Sequence, residues 1–353
     1  MSIETAAPVP RRTDSLNDVR AVIPAACYQR SASRAVWALL QAFVLYAGAL
    51  AALVLTDRWW ALLLLWLVAG LGVAGLFVLG HDASHGALFE SRRVNRLVAQ
   101  VCMAPSAHVE TAWDLGHNRI HHGYTTREGF DFVWHPVTIQ AYRAMGRLAR
   151  TRHRLEWSAI GSGAYYLRVV WWEKMWRFSA PGKRHRAIVR DKAVLGSAMV
   201  VVVGAAAAIG ALGGGWTAAV WLPFKLFVVP LLVFTQIIGW TVYLHHVSTD
   251  IRWWTRRGWT QFKGQMESTT NIAIPALFNR LWMHNIFVHV PHHVDARIPF
   301  HQLPAAAAAI TAAYPHTVHS SRLSIAGYLR TTRACKLYDF EAGRWLAYSA
   351  ARG

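Results

Sequence analysis

Four long apolar runs constrain this chain more than any other feature of its sequence. Ala35–Leu55, Trp59–Leu79, Ala193–Leu212 and Trp221–Tyr243 each hold about 20 residues, enough for a helix to cross a ~30 Å hydrocarbon core. Backbone in lipid must satisfy its own hydrogen bonds, so runs of this kind become helices. Thr56, Asp57 and Arg58 separate the first two runs, and Gly213, Gly214 and Gly215 separate the last two. The spacing predicts two tight helical hairpins. Trp59 and Trp60 suit a membrane interface, and Pro223 and Pro230 predict a kinked fourth helix. The expected fold is all-α: an integral membrane protein with four transmembrane helices in two hairpins and a helical cap on one side.

Charge decides which side. The chain carries a formal +19, which by itself invites a nucleic-acid reading. Position argues otherwise. Of the 37 Lys and Arg, 5 lie in residues 1–34, 18 in residues 80–192 and 12 after residue 241, leaving only Arg58 and Lys225 elsewhere. The positive-inside rule then places both termini and the whole of 80–192 in the cytoplasm, and it accounts for the charge without nucleic acid. No DNA- or RNA-binding motif accompanies the charge.

The organisation that follows is a polar cytoplasmic N-terminal arm over 1–34, a membrane domain over 35–310 and a cytoplasmic C-terminal tail over 311–353. The arm contains Pro8, Pro10 and Pro24 and reads as loosely ordered, without the early apolar run of a cleaved signal peptide. Within 80–192, Val94–Met103 and Tyr165–Phe178 are apolar but broken by charge. They fit helices lying in the interface, with Trp171, Trp172 and Trp176 at headgroup level and Arg168, Lys174 and Arg177 snorkelling, or else short buried helices. Pro304 before a run of alanines marks the first turn of a helix. Three scattered cysteines, Cys27, Cys102 and Cys335, support neither a disulfide framework nor a thiolate metal site.

The 18 histidines carry the chemistry. His81 and His85 (HDASH) stand one helical turn apart just after the second run. His117 and His121 (HNRIHH) repeat that spacing with His122 adjacent, and His289, His292 and His293 (HVPHH) fall at i, i+3 and i+4. His245 and His246 close the fourth run. Crowded imidazoles repel one another's protonation and gain little unless a metal takes their lone pairs. Eight such ligands exceed what one four-coordinate zinc takes and suit two ions of higher coordination number. All-nitrogen ligation without Cys suits iron, copper or zinc. His108, His135, His153, His185, His301, His316 and His319 stand alone and read as ordinary surface or core residues.

In this order, and between paired apolar runs, the three boxes resemble those of the membrane fatty acid desaturase family, within the histidine-box di-iron oxygenases. The words GHDASHGALF and HNRIHHGYTTREGFDFVWHP match, and YLHHVST followed by MHNIFVHVPHH is similar to the acyl-lipid, Δ12-type branch. The similarity covers about residues 35 to 310. It implies a cis double bond placed in a long acyl chain, two Fe ions, O2 as co-substrate, and a fatty acyl lipid or thioester as substrate. It also implies a further ligand in YLHHVST, His246 in preference to His245. His284 and Asn285 precede the third box as in relatives, which implies a direct or water-mediated role beside the metal. Asp82 and Asp131 can either orient ligand rings or stand as solvated carboxylates. Neither a haem-binding HPGG segment nor a Cys-rich iron–sulfur motif is present, so electrons are expected from a separate ferredoxin or cytochrome b5-like donor.

Three other readings compete. The same boxes serve hydroxylases or ketolases of acyl chains, alkanes or carotenoids. A metal transporter would need ionisable residues lining a path through its spans, and these spans are almost free of them. A structural lipid-associated protein gives no reason for three boxes.

Overall fold

The computed structural model describes residues 15–352. Its long elements follow the apolar runs. After the short α1 (Leu16–Ala21) come α2 (Ala32–Val54) and α3 (Trp59–Ser84), joined by the four residues 55–58. The amphipathic α4 (Arg92–Met103) packs on α3. Next, α5 (Glu110–Trp113) continues as a π-helix over Asp114–His121. Helix α6 spans Arg147–Glu156, and α7 (Ser162–Tyr165) continues as a π-helix over Tyr166–Trp176. Helix α8 (Lys183–Pro223) leads through a π-helical turn, Phe224–Val228, into α9 (Val229–His246). Beyond it lie α10 (Gln261–Met266), α11 (His289–Val294), α12 (Leu303–Ala313) and α13 (Ile325–Ala334).

Three helical runs are long and apolar enough to cross a membrane: Ala32–Val54, Trp59–Ser84 and Lys183–His246. The last is 64 residues long and breaks at Gly214 and Gly215, whose backbone leaves the helical region (φ −158° and +71°). The chain folds back there. A Cβ on Gly210 would stand 2.3 Å from the Ala218 carbonyl oxygen, so the two limbs touch backbone to backbone. Pro223 and Pro230 supply no N–H donors to the ladder, and the winding between them loosens into the π turn.

Apolar residues on the outer faces, among them Leu63, Leu64, Val200 and Val201, are exposed. Water would penalise that surface, whereas lipid does not. The inner half of α3 is the opposite: residues 69–83 are buried without interruption, packed by α2, α4 and α9. Two glycines let α7 and α9 cross closely. Gly163 lies against the Gln236 backbone and Gly239 against the Ser162 carbonyl, so a Cβ at either would meet backbone within 3 Å.

Lys225, the single charge in the fourth apolar run, is 2% exposed and reaches back to the first hairpin's turn. Its Nζ donates to Asp57 Oδ1 at 2.8 Å and the Thr56 carbonyl at 3.2 Å, and the Trp221 indole N–H donates to the same carboxylate. A buried ammonium thus finds its partners and ties the two hairpins together.

Several expectations need correction. From residue 15 onward the N-terminal stretch is not loosely ordered (residues 1–14 lie outside the described residues). Leu16, Val19, Ile23 and Cys27 pack on Val290 and Val294 of α11 and Leu303 and Ala306 of α12. Arg168 does not snorkel: it pairs with Glu156 and Glu173. Trp171 and Trp176 spend their indole N–H groups on the Ser106 and Ala107 carbonyls inside the protein, and only Trp172 of the three is exposed. The fold is also not purely helical. Strand β1 (Thr270–Ala273) pairs in parallel with β2 (His319–Arg322), and β3 (Leu337–Asp339) with β4 (Arg344–Leu346) in antiparallel fashion. These ladders, with buried Leu337 and Tyr338, fasten the C-terminal stretch onto the cap. The three cysteines are free and buried, as expected.

Candidate metal centre

Imidazoles from all three boxes converge at the C-terminal end of α3. His81, His85, His117, His122 and His292 form one group, and His121, His246 and His293 a second; within each, one ligand atom per residue lies within 4.8 Å of every other. His289 joins the second group, its Nε2 3.3 Å from His246 Nε2 and 3.1 Å from His293 Nε2.

The second box is divided between the groups by its backbone. In an α-helix, residues five apart differ by about 140° in direction. Here the His122 N–H donates to the His117 carbonyl at 3.0 Å, the i→i+5 bond of a π-helix, which sets residue 122 nearly over residue 117. His117 and His122 therefore face the first group, their Nε2 atoms 3.2 Å apart, while His121 turns to the second. The i, i+4 reading of this box on an α-helix missed that device, because nothing in HNRIHH announces π winding.

The nitrogens point at one another as ligands do. His81 Nε2 lies 2.9 Å from His117 Nε2, and His292 Nε2 lies 3.2 Å from His122 Nε2. Two nitrogens bound cis to one ion at ~2.1 Å stand about 3.0 Å apart, so this spacing fits shared ions. Burial and the neighbouring rings push His85, His117, His122, His289, His292 and His293 well below the usual imidazole range, so all six offer lone pairs. His85 Nε2 is buried with no hydrogen-bond partner. The donor set suits two ions of a nitrogen-loving transition metal.

Outer nitrogens are held by partners. Asp82 Oδ1 lies 3.1 Å from His81 Nδ1, and Asp131 Oδ1 lies 3.0 Å from His121 Nδ1. Both carboxylates are buried rather than solvated. Three more partners escaped the sequence reading. Gln265 Oε1 and Thr125 Oγ1 stand 2.9 and 3.2 Å from His293 Nδ1, and the Ser268 carbonyl lies 3.2 Å from His246 Nδ1. Such contacts fix ring orientation and tautomer. Thr125 follows the second box closely, a weak signal; Gln265 and Ser268 carry none.

The remaining candidates fall outside these groups. His245 stacks on His289, ring centroids 3.9 Å apart, and neither of its ring nitrogens has a hydrogen-bond partner. His284 packs against Phe300 and lines a different cavity. Asn285 exchanges hydrogen bonds with Asn279 and donates to the Phe300 carbonyl, so it clasps a turn. Among the lone histidines, His108 is held between the Ser106 carbonyl and the Tyr166 hydroxyl, an ordinary core role.

Beside the histidines lies a narrow apolar cavity of about 50 Å³. Phe77, Trp113, Tyr166, Ile238 and Ile286 wall it, and its lining includes His81 and His117 from one group and His121, His246 and His289 from the other. It can hold a hydrocarbon against both groups while keeping water out.

Comparison with known proteins agrees with this geometry. A sequence profile described as fatty acid desaturase matches residues 57–322. The chain belongs to the fatty acid desaturase family. It is 28% identical to an sn-1 oleoyl-lipid 12-desaturase of Anabaena variabilis, over 93% of this chain and 91% of that one. It is 29% identical to an sn-1 acyl-lipid omega-3 desaturase (ferredoxin) of Synechocystis sp., over 88% and 84%. A chloroplastic omega-6 fatty acid desaturase of Glycine max is 24% identical over 80% and 64%. This desaturase is thus an oxidoreductase of fatty acyl chains, a membrane protein with a histidine-rich metal site.

Proposed function

We propose that this desaturase places a cis double bond in the acyl chain of a membrane lipid, using two iron ions. The observation that carries the reading is the meeting of both histidine groups in the lining of one narrow apolar cavity. His81, His85, His117, His122 and His292 would hold one ion, and His121, His246, His289 and His293 the other. When bound, the ions supply with O2 the oxidising power that an unactivated methylene demands and no amino-acid side chain has. The balance is one O2, two electrons and two protons taken up, two vicinal hydrogens removed, and two waters released.

The protein's part is positional. Phe77, Trp113 and Ile286 keep the chain extended and dry, and its depth of insertion selects the carbons that meet the histidines. Asp82, Asp131 and Gln265 hold the rings so that inner nitrogens converge. Four crossings in two hairpins, turning at 55–58 and at Gly214–Gly215, with both termini and the histidines in the cytoplasm, follow from helix length and Lys/Arg distribution. Electrons would come from a separate ferredoxin, the donor named for one relative, docking on the basic cytoplasmic face.

Expression in a host with simple fatty acids, followed by double-bond location in the recovered chains, tests this. The expected product has lost two hydrogens without gaining oxygen, and His292→Ala abolishes it. A product that gains one oxygen would instead make the enzyme a hydroxylase.

A further inference from the structure

A second cavity, of about 450 Å³, opens beside the first turns of α2. Ser33, Arg34, Trp37, Gln41, Arg280 and His284 line it, joined by His301, and no acidic side chain among the described residues does. Both arginines are exposed, and neither forms an ion pair among the described residues. His284 is 4% exposed, and its Nε2 has no hydrogen-bond partner. The turn that carries it is held in place: His284 and Asn285 both adopt left-handed backbone (φ 41° and 61°), with Asn285 clasped by Asn279. Gln41 ties this turn to α2 by donating to the Arg280 and Leu281 carbonyls.

Two guanidinium groups, an unsatisfied imidazole and the N-terminal end of a 23-residue helix together make an anion site. Its surroundings say which anion. Trp37, one wall of the cavity, is 62% exposed, and Leu40 and Val44 continue that exposed apolar stripe down α2. The cavity therefore sits at the level where lipid headgroups meet hydrocarbon.

We infer that this cavity binds the phosphate of an anionic phospholipid, its acyl chains lying along Trp37, Leu40 and Val44. The inference rests on the proposed membrane crossing of α2, and not on the identity of the metal. The site bears on the enzyme because His284 and Ile286 lie two residues apart on the same turn, and Ile286 walls the metal-facing cavity. A bound headgroup would brace the turn that leads into the third box.

The test uses the full-length protein in phosphatidylcholine nanodiscs with and without phosphatidylglycerol, with lipid retention read by native mass spectrometry. The wild type should retain phosphatidylglycerol over phosphatidylcholine. Arg34→Gln with Arg280→Gln should lower that retention about tenfold, and the double Lys variant should restore it. Equal retention by the wild type and the double Gln variant would overturn the proposal. So would displacement of the lipid by millimolar inorganic phosphate alone, which would mark a free-anion site. His292→Ala should lose desaturation yet keep the lipid, which separates failure of this inference from failure of the catalytic reading.

Discussion

Asp131 Oδ1 lies 3.0 Å from His121 Nδ1, and both side chains are 1% exposed. The carboxylate also accepts the Thr126 and Val133 N–H groups, so loop and ring are fixed by one residue. Asp131→Asn keeps the shape but replaces a charged acceptor with a neutral amide. We expect iron affinity to fall about 10- to 100-fold, with the loss concentrated in the second histidine group. Iron content and Mössbauer spectra of the purified variant check this, and two unperturbed ions would refute it.

Gln265 does the corresponding work for His293, at 2.9 Å. Gln265→Leu removes the nearer acceptor and leaves His293 Nδ1 with Thr125 Oγ1 alone, at 3.2 Å. Desaturation should drop on the order of tenfold or more, while Gln265→Glu, which still accepts, should retain most of it. Product yield per mole of bound iron separates this from simple loss of protein.

At the crossing of α7 and α9 there is no room for a methyl group. Gly239→Ala would drive a Cβ to within 2.4 Å of the Ser162 carbonyl oxygen. The backbones must then separate, at a cost of about 1–3 kcal/mol. Because Ile238 and Thr241 on α9 line the apolar cavity, a shifted preference for acyl length should accompany a lower melting temperature in detergent.

His153 sets a pH dependence remote from the metal. Burial, then the positive charges of Lys336 and Arg168, push its imidazole down to about 4. The unfolded chain, with a pKa near 6.5, takes up a proton before the folded chain does. Stability is therefore full above 6.5 and falls as pH drops from there towards 4, by on the order of 3 kcal/mol. His153→Phe should flatten the melting temperature over that interval relative to wild type. An unchanged slope would mean that other groups carry it.

How much of this was legible beforehand depends on the range of the interaction. Leu16, Val19 and Ile23 are ordered by packing on Val290 and Val294, more than 260 residues away, so the N-terminal stretch reads as loose from its own composition. His284 and Asn285 stand just before the third box in sequence, yet His284 lines another cavity and Asn285 clasps a turn. Gln265 and Ser268 carry no local mark at all, since an amide and a carbonyl become partners of His293 and His246 only when α10 packs beneath α11.

By itself the sequence determined the lengths of the apolar runs, the turns at Thr56–Arg58 and Gly213–Gly215, the sidedness of charge and the identity of the histidines, because these are properties of composition and short spacing. Only the tertiary structure decided which nitrogens meet. The π winding over Asp114–His121 splits one box between two groups, and contacts from Asp131, Gln265 and Ser268 set the rings. Those outcomes follow from backbone hydrogen bonding and long-range packing, which no local pattern of residues encodes.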